Sequence, residues 1–327
     1  MSIELFRQSI KSEHTRRCYN YYLKKYGEDK LSVTDPKKVE NQIINFIIEQ
    51  KQQGKKFYAI SNYVNCIITF YKINDVLVNT KKITRFMPER RRVKSDRSYT
   101  HEEIGKILEI ADERMRSVIL LLASSGMRIG ALPFIKLRNL KDNRLTVYET
   151  FGEEYLSFIT PECKRAVDNY LEMRSRCGET LTDDTLLIRE QFDIRDQFQI
   201  KKPRQIKRDA IQWMIKDIVK RCGIGKDVML AHGFRKFFTT QLVNSKVNPE
   251  IREMLLGHKI GLASSYYKPT VDEMMSEYEK AIDNLTIDPA NRLQRKVETL
   301  TIEKSRLDVL EAKYQQLEQR TRRSKIT

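Results

Sequence analysis

Residues 115–127 read MRSVILLLASSGM, and this stretch constrains the fold most. On a helix it has apolar side chains on nearly every side, so other elements must enclose it. A buried helix there predicts a packed domain around it. YTHEEIGKILEIA, residues 99–111, opens with Thr100 three residues before Glu103. That is a capping-box pattern ahead of an apolar-periodic helix. CKRAVDNYLEMRSR and RDAIQWMIKDIVKRCG also read as helices. RLTVYETFGEEYLSFIT has two β-rich runs around a turn holding Gly152, which predicts a hairpin. The region is therefore mainly α with a small antiparallel β element.

Upstream, three stretches up to about residue 86 read as helices. SEHTRRCYNYYLKKYG runs from a cap at Ser12 to a stop at Gly27. KKVENQIINFIIEQKQQG places Val39, Ile43, Ile44, Ile47 and Ile48 on one face. FYAISNYVNCIITFYKIN is a second apolar-faced helix. Between the two regions lies KKITRFMPERRRVKSDRS, with eight basic residues, Pro88 and no apolar period. It reads as an extended linker. The expected division is a helical domain at 1–86, a basic linker at 87–99, a second domain at 100–287 and a C-terminal helix at 288–327. In that last segment Leu293, Val297, Leu300, Lys304, Leu307, Glu311 and Tyr314 alternate four and three apart. This is a heptad seam with two polar defects, open to a coiled coil or to a lone helix packed on the body.

Composition bears on partners. The chain has 327 residues, 61 Lys plus Arg against 44 Asp plus Glu, and a formal net charge of +17. Such a surface gains affinity for a polyanion by releasing counterions. Arg16 and Arg17 on the first helical stretch, and Arg90, Arg91, Arg92, Lys94 and Arg97 in the linker, are the candidate phosphate contacts. The five cysteines are scattered without a CxxC pair, which predicts free thiols and no zinc site. No apolar run reaches bilayer-spanning length, so the expectation is a cytoplasmic protein without a membrane partner.

Three segments hold the reactive side chains. LASSGMRIGALPFIKL contains Arg128 after a Ser-Ser-Gly turn, at the start of an expected helix. MLAHGFRKFFTTQLV has His232 and Arg235 three apart, on one helical face. LLGHKIGLASSYYKPT carries His258, Tyr266 and Tyr267. Two guanidiniums can hold a phosphodiester bidentately and stabilise the charge of its transition state. Imidazoles can hydrogen-bond to the same oxygens or move protons. A tyrosine beside such cations can attack phosphorus. No acidic cluster for Mg²⁺ is present, so neither a metal nor another cofactor is expected.

In this order and spacing, the three segments resemble the boxes of the tyrosine recombinases, the phage-integrase family, and in particular archaeal integrases. SSGMRIGALPFIKL is similar to the first arginine box, AHGFRKFFTTQLV to the HxLRH segment and LLGHKI to the LGH box. The resemblance spans residues 5 to 285. It implies a helical core-binding domain joined to a catalytic domain, closing as a C-shaped clamp on double-stranded DNA. It implies Arg128, His232, Arg235 and His258 as catalytic residues and Tyr267, nine residues after His258, as nucleophile. Tyr266 is expected to pack. The implied activity is cutting and rejoining of DNA through a 3′-phosphotyrosine without metal or ATP, by four protomers on two duplexes. Ala131 replaces a frequent Glu, Lys236 replaces His or Arg, and the hairpin turn lacks the lysine the family places there. These departures leave open a recombinase-fold DNA-binding protein that has lost cleavage. A basic coiled-coil adaptor is a further alternative.

Overall fold

The computed structural model describes residues 2–90, 96–149, 152–261 and 266–324, apart from the side chains of 312 and 315–324. Expected contacts Arg91, Arg92 and Lys94 lie outside the described residues. The chain divides into two compact units, Met1–Lys94 and Ser95–Thr327.

The first unit is helical: α1 (Ile3–Ser9), α2 (Glu13–Tyr26), α3 (Pro36–Gln52), α4 (Phe57–Ile73) and α5 (Thr80–Thr84). Ser12 caps α2, and Gly27 ends it at φ 108°, where a side chain would be strained. Asp35 caps α3 with Pro36 in its first turn. α3 buries Val39, Ile43, Ile44, Phe46 and Ile47. Ile48, expected on that face, is 38% exposed. One residue on from Ile47 it has turned about 100° away.

In the second unit the capping box opens α6 (His101–Ile110). The all-apolar run becomes α7 (Glu113–Ser125), buried along almost its whole length. Its serines stay compatible with burial by bonding back along the helix: Ser124 Oγ donates to Leu120 O and Ser125 Oγ to Leu121 O, both at 2.6 Å. Strands β1 (Leu140–Lys141), β2 (Arg144–Val147) and β3 (Tyr155–Phe158) form an antiparallel sheet in that order. The expected hairpin is β2–β3, with Val147 opposite Tyr155. β1, too short to show a period, is an addition.

Helices α8 (Pro161–Arg176), α9 (Gln197–Lys201), α10 (Arg208–Arg221), α11 (Leu230–Asn244), α12 (Pro249–Leu255), α13 (Val271–Glu279) and α14 (Ile282–Leu285) complete the shell. A last helix, α15, runs Pro289–Ser324. Arg295 pairs with Asp283 at its start, but Leu293, Val297, Leu300 and Leu307 are all more than half exposed. The tail therefore does not pack its apolar seam on the body. Among the described residues no helix is long and apolar enough to cross a membrane.

Candidate active site

Gly126 sets the first edge of the site. It ends α7 at φ 63°, and a Cβ there would lie 2.2 Å from the Phe238 ring. Only glycine permits both the left-handed turn and that approach. The chain then turns through Arg128, with Ala131 N donating to Arg128 O, into a three-residue 3₁₀ turn at Leu132–Phe134. The α-helix expected to begin at Arg128 is absent because Pro133 allows only this short turn. The Arg128 guanidinium is exposed and, among the described residues, makes no hydrogen bond or ion pair.

Arg235 sits on α11 and is only 7% exposed. Its Nη1 donates to Gly126 O at 2.7 Å, and its Nη2 donates to Leu256 O at 2.6 Å and to His258 Nε2 at 2.8 Å. One planar fork thus ties the ends of α7 and α12 to the imidazole. Arginine cannot accept, so Nε2 is the acceptor and the His258 proton is on Nδ1. That proton is directed to Glu253 Oε2 at 2.6 Å. Glu253 is held below the usual carboxylate range first by this hydrogen bond from His258. The sequence reading passed over Glu253; its one signal is a carboxylate five residues ahead of the histidine in EMLLGH.

His232 lies one turn before Arg235 on the same helix, and its side chain is exposed. Partial desolvation lowers its pKa, the Lys236, Arg235 and Arg128 charges lower it further, and Asp96 opposes them. Imidazole is therefore mainly neutral at pH 7. Lys236, in the place of a family His or Arg, binds the Asp96 carboxylate and donates to Asp96 O at 3.1 Å.

Two further tyrosines floor the site. The Tyr155 ring lies where a Cβ on Gly257 would come within 2.5 Å of it, and its buried hydroxyl faces Arg235. The Tyr148 hydroxyl lies 3.6 Å from the position of a Cβ on Gly130. The two rings are 6.3 Å apart at 54°.

Tyr267 is half-buried and packs on the edge of the second unit's core. Among the described residues its hydroxyl makes no hydrogen bond to Arg128, His232, Arg235 or His258. Tyr266, expected to pack, is instead 90% exposed. The physical reason is local: of these two adjacent side chains, only Tyr267 faces the core. Residues 262–265, just ahead of the tyrosine pair, lie outside the described residues.

Of the candidate phosphate contacts, Arg97 is committed inside the second unit. It donates to both Glu103 oxygens at 2.6 and 2.7 Å and to Asp227 at 2.7 Å. Arg16 donates to Ile10 O at 3.0 Å and Arg17 to Glu13 at 2.6 Å, while Arg90 lies over Tyr58. Arg17 and Arg90 remain exposed.

Residues 97–272 match the phage integrase family. The chain is 22% identical over 281 residues to tyrosine recombinase XerA of Pyrococcus horikoshii, covering 83% of this chain and 88% of that protein. It is 26% identical over 184 residues to tyrosine recombinase XerC of Caldanaerobacter subterraneus subsp. tengcongensis, covering 54% and 48%. Its fold resembles the Tn1549 transposon integrase in complex with circular intermediate DNA, with a TM-score of 0.62, 16% identity and coverage of 85% and 96%. It also resembles the lambda integrase tetramer bound to a Holliday junction, with a TM-score of 0.53, 17% identity and coverage of 79% and 72%.

Proposed function

The chain belongs to the phage integrase family and is a tyrosine-type site-specific recombinase, and we propose that it cuts and rejoins DNA through a covalent 3′-phosphotyrosine. One observation carries this reading. A single guanidinium, Arg235, joins the segment next to Arg128 to the segment bearing His258, over sequence separations of 109 and 23 residues. Arg128, exposed beside this junction, and Arg235 would then hold the non-bridging oxygens of one phosphate bidentately. Their charges stabilise the extra negative charge of the transition state.

His258 hydrogen-bonds to the same phosphate once DNA displaces its bond from Arg235, and Glu253 orients the ring. His232, neutral near pH 7, accepts the Tyr267 proton. Tyr267 then attacks in line and remains esterified to the 3′ phosphate, freeing a 5′ hydroxyl. The ester conserves the bond energy, so a second strand's 5′ hydroxyl reverses the step without ATP. Residues 1–86 supply a DNA-binding domain, the 87–99 linker a phosphate strap through Arg90 to Arg92 and Lys94, and the tail an assembly element. Four protomers act on two duplexes in the cytoplasm. Similarity to the lambda integrase tetramer on a Holliday junction supports that stoichiometry.

A nicked suicide duplex tests the reading. Wild type and Tyr266→Phe should leave a covalent protein–DNA band in denaturing gels. Tyr267→Phe should bind the duplex and leave none. The second reading, a DNA-binding protein without cleavage, draws on the undocked Tyr267 hydroxyl and the lysine-free turn after β2. It predicts binding without a covalent band in wild type.

A further inference from the structure

Breaking the phosphate–O5′ bond releases an alkoxide, a poor leaving group unless it is protonated as it departs. The two arginines cannot serve, because a guanidinium does not deprotonate in proteins. His258 directs its Nδ1 proton to Glu253, and in the covalent mechanism its Nε2 side already serves the phosphate's own oxygens. His232 is mainly neutral at pH 7 and suits a base. Lys236 is bound to Asp96. Lys141 lies opposite Arg144, at the far end of β2 from residue 148. Four residues of strand separate those ends by about 13 Å.

Among the described residues, Tyr148 lies within the influence of both Arg128 and Arg235. It follows β2 directly and adopts φ 61°, a left-handed conformation that is unfavourable for an aromatic residue. Strain of this kind in a bulky residue is retained where the surrounding structure imposes a position. Here it breaks the strand's alternation and sets the hydroxyl over the turn that carries Arg128, 3.6 Å from a Cβ position on Gly130. Burial, the largest influence, and the Glu153 charge hold the Tyr148 pKa above the ordinary tyrosine range, while Arg128, Arg235 and Arg208 oppose that rise. The phenol is thus intact at rest, with cations beside it that favour its phenolate form.

We propose that Tyr148 is the proton donor to the leaving 5′ oxygen, an assignment that rests on the covalent mechanism above. As the Tyr267 Oη–phosphorus bond forms and the phosphorus–O5′ bond breaks, the Tyr148 proton passes to O5′ and the Tyr267 proton to His232. In rejoining, the incoming 5′ hydroxyl gives its proton to the Tyr148 phenolate. Its oxygen attacks phosphorus, and Tyr267 leaves with the proton from His232.

The test compares full-length wild type and Tyr148→Phe on two suicide duplexes. One has an ordinary scissile phosphodiester; in the other sulfur replaces the bridging 5′ oxygen and leaves as a thiolate without needing a proton. Tyr148→Phe keeps the ring, and its melting temperature checks that the hairpin base is retained. Its covalent-complex formation should fall about 10²-fold or more on the ordinary duplex. On the thiolate duplex it should return to within about threefold of wild type, since general-acid assistance is then not needed. Equal rates on the ordinary duplex overturn the proposal. An equal loss on both duplexes also overturns it and makes Tyr148 a positioning residue. Absence of a wild-type adduct on both duplexes, with binding shown, sinks the covalent mechanism itself.

Discussion

The second unit holds two arginine pairs in opposite states. Arg174 and Arg189 are buried around Glu179: Arg174 donates to its two oxygens at 2.6 and 3.0 Å, and Arg189 to one at 2.7 Å. Arg174 also donates to Leu186 O and Leu187 O. Every charge there has a partner within the protein. Among the described residues, Arg128 and Arg235 have no carboxylate partner. Arg235 donates to two carbonyls and an imidazole and faces the Tyr155 hydroxyl, and Arg128 faces solvent. The same side chain is a structural tie where the fold supplies an anion and a binding group where it withholds one. Leaving two cations close together without a counter-ion is unfavourable until a phosphate arrives.

Breaking the closed pair should have the largest effect. Glu179→Gln leaves two buried guanidiniums short of charge and should lower stability by about 3–5 kcal/mol, read from urea unfolding midpoints. A shift under about 1 kcal/mol would mean that solvent reaches the cluster. The same carboxylate sets a pH dependence. Burial raises the Glu179 pKa, but hydrogen bonds from Arg174 and Arg189 outweigh it and leave it below the ordinary value. A depressed carboxyl contributes fully above its unfolded pKa of about 4.3 and loses that contribution as pH falls through the folded value. Wild type should therefore weaken below about pH 4 more steeply than Glu179→Gln.

Opening the other pair should do the reverse. Arg128→Ala removes an exposed guanidinium that has no hydrogen bond or ion pair among the described residues, so stability should change by less than about 0.5 kcal/mol. Adduct formation on the suicide duplex should fall about 10²- to 10³-fold, the usual cost of one transition-state donor. A loss of stability with unchanged cleavage would reverse the contrast.

Glu253 tests the carboxylate behind His258. Glu253→Gln keeps an acceptor for His258 but removes its charge, and cleavage should slow about tenfold, near the lower range for a hydrogen bond to a charged group. An unaltered rate would mean that His258 needs no such orientation. The smallest effect belongs to the tail. Removing residues 291–327 should leave adduct formation unchanged while lowering the assembled mass in light scattering, since the α15 seam is exposed along its described length. Unchanged mass would refute the coiled-coil role.

Much of this architecture was legible in residue order. The enclosed α7, the Thr100–Glu103 box, the β2–β3 hairpin and the three reactive segments all rest on spacing within one element. β1 escaped notice because two residues carry no period. Tyr148 and Tyr155 were not singled out within the hairpin, because their nearness to Gly130 and Gly257 is set by packing. Glu253 was not singled out, because its place beside His258 is set by the fold.

Local chemistry along the chain determined which segments become helices, where glycine must end them, and which side chains capable of phosphate chemistry exist at all. Their pairing was decided only in three dimensions. Arg97 looked like a phosphate contact, yet it is taken by Glu103 and by Asp227, 130 residues away. Arg128, in a far less basic stretch, is left open. A charge–charge hydrogen bond acts over about 3 Å, and no pattern in sequence reports which distant carboxylate packing will bring within that reach.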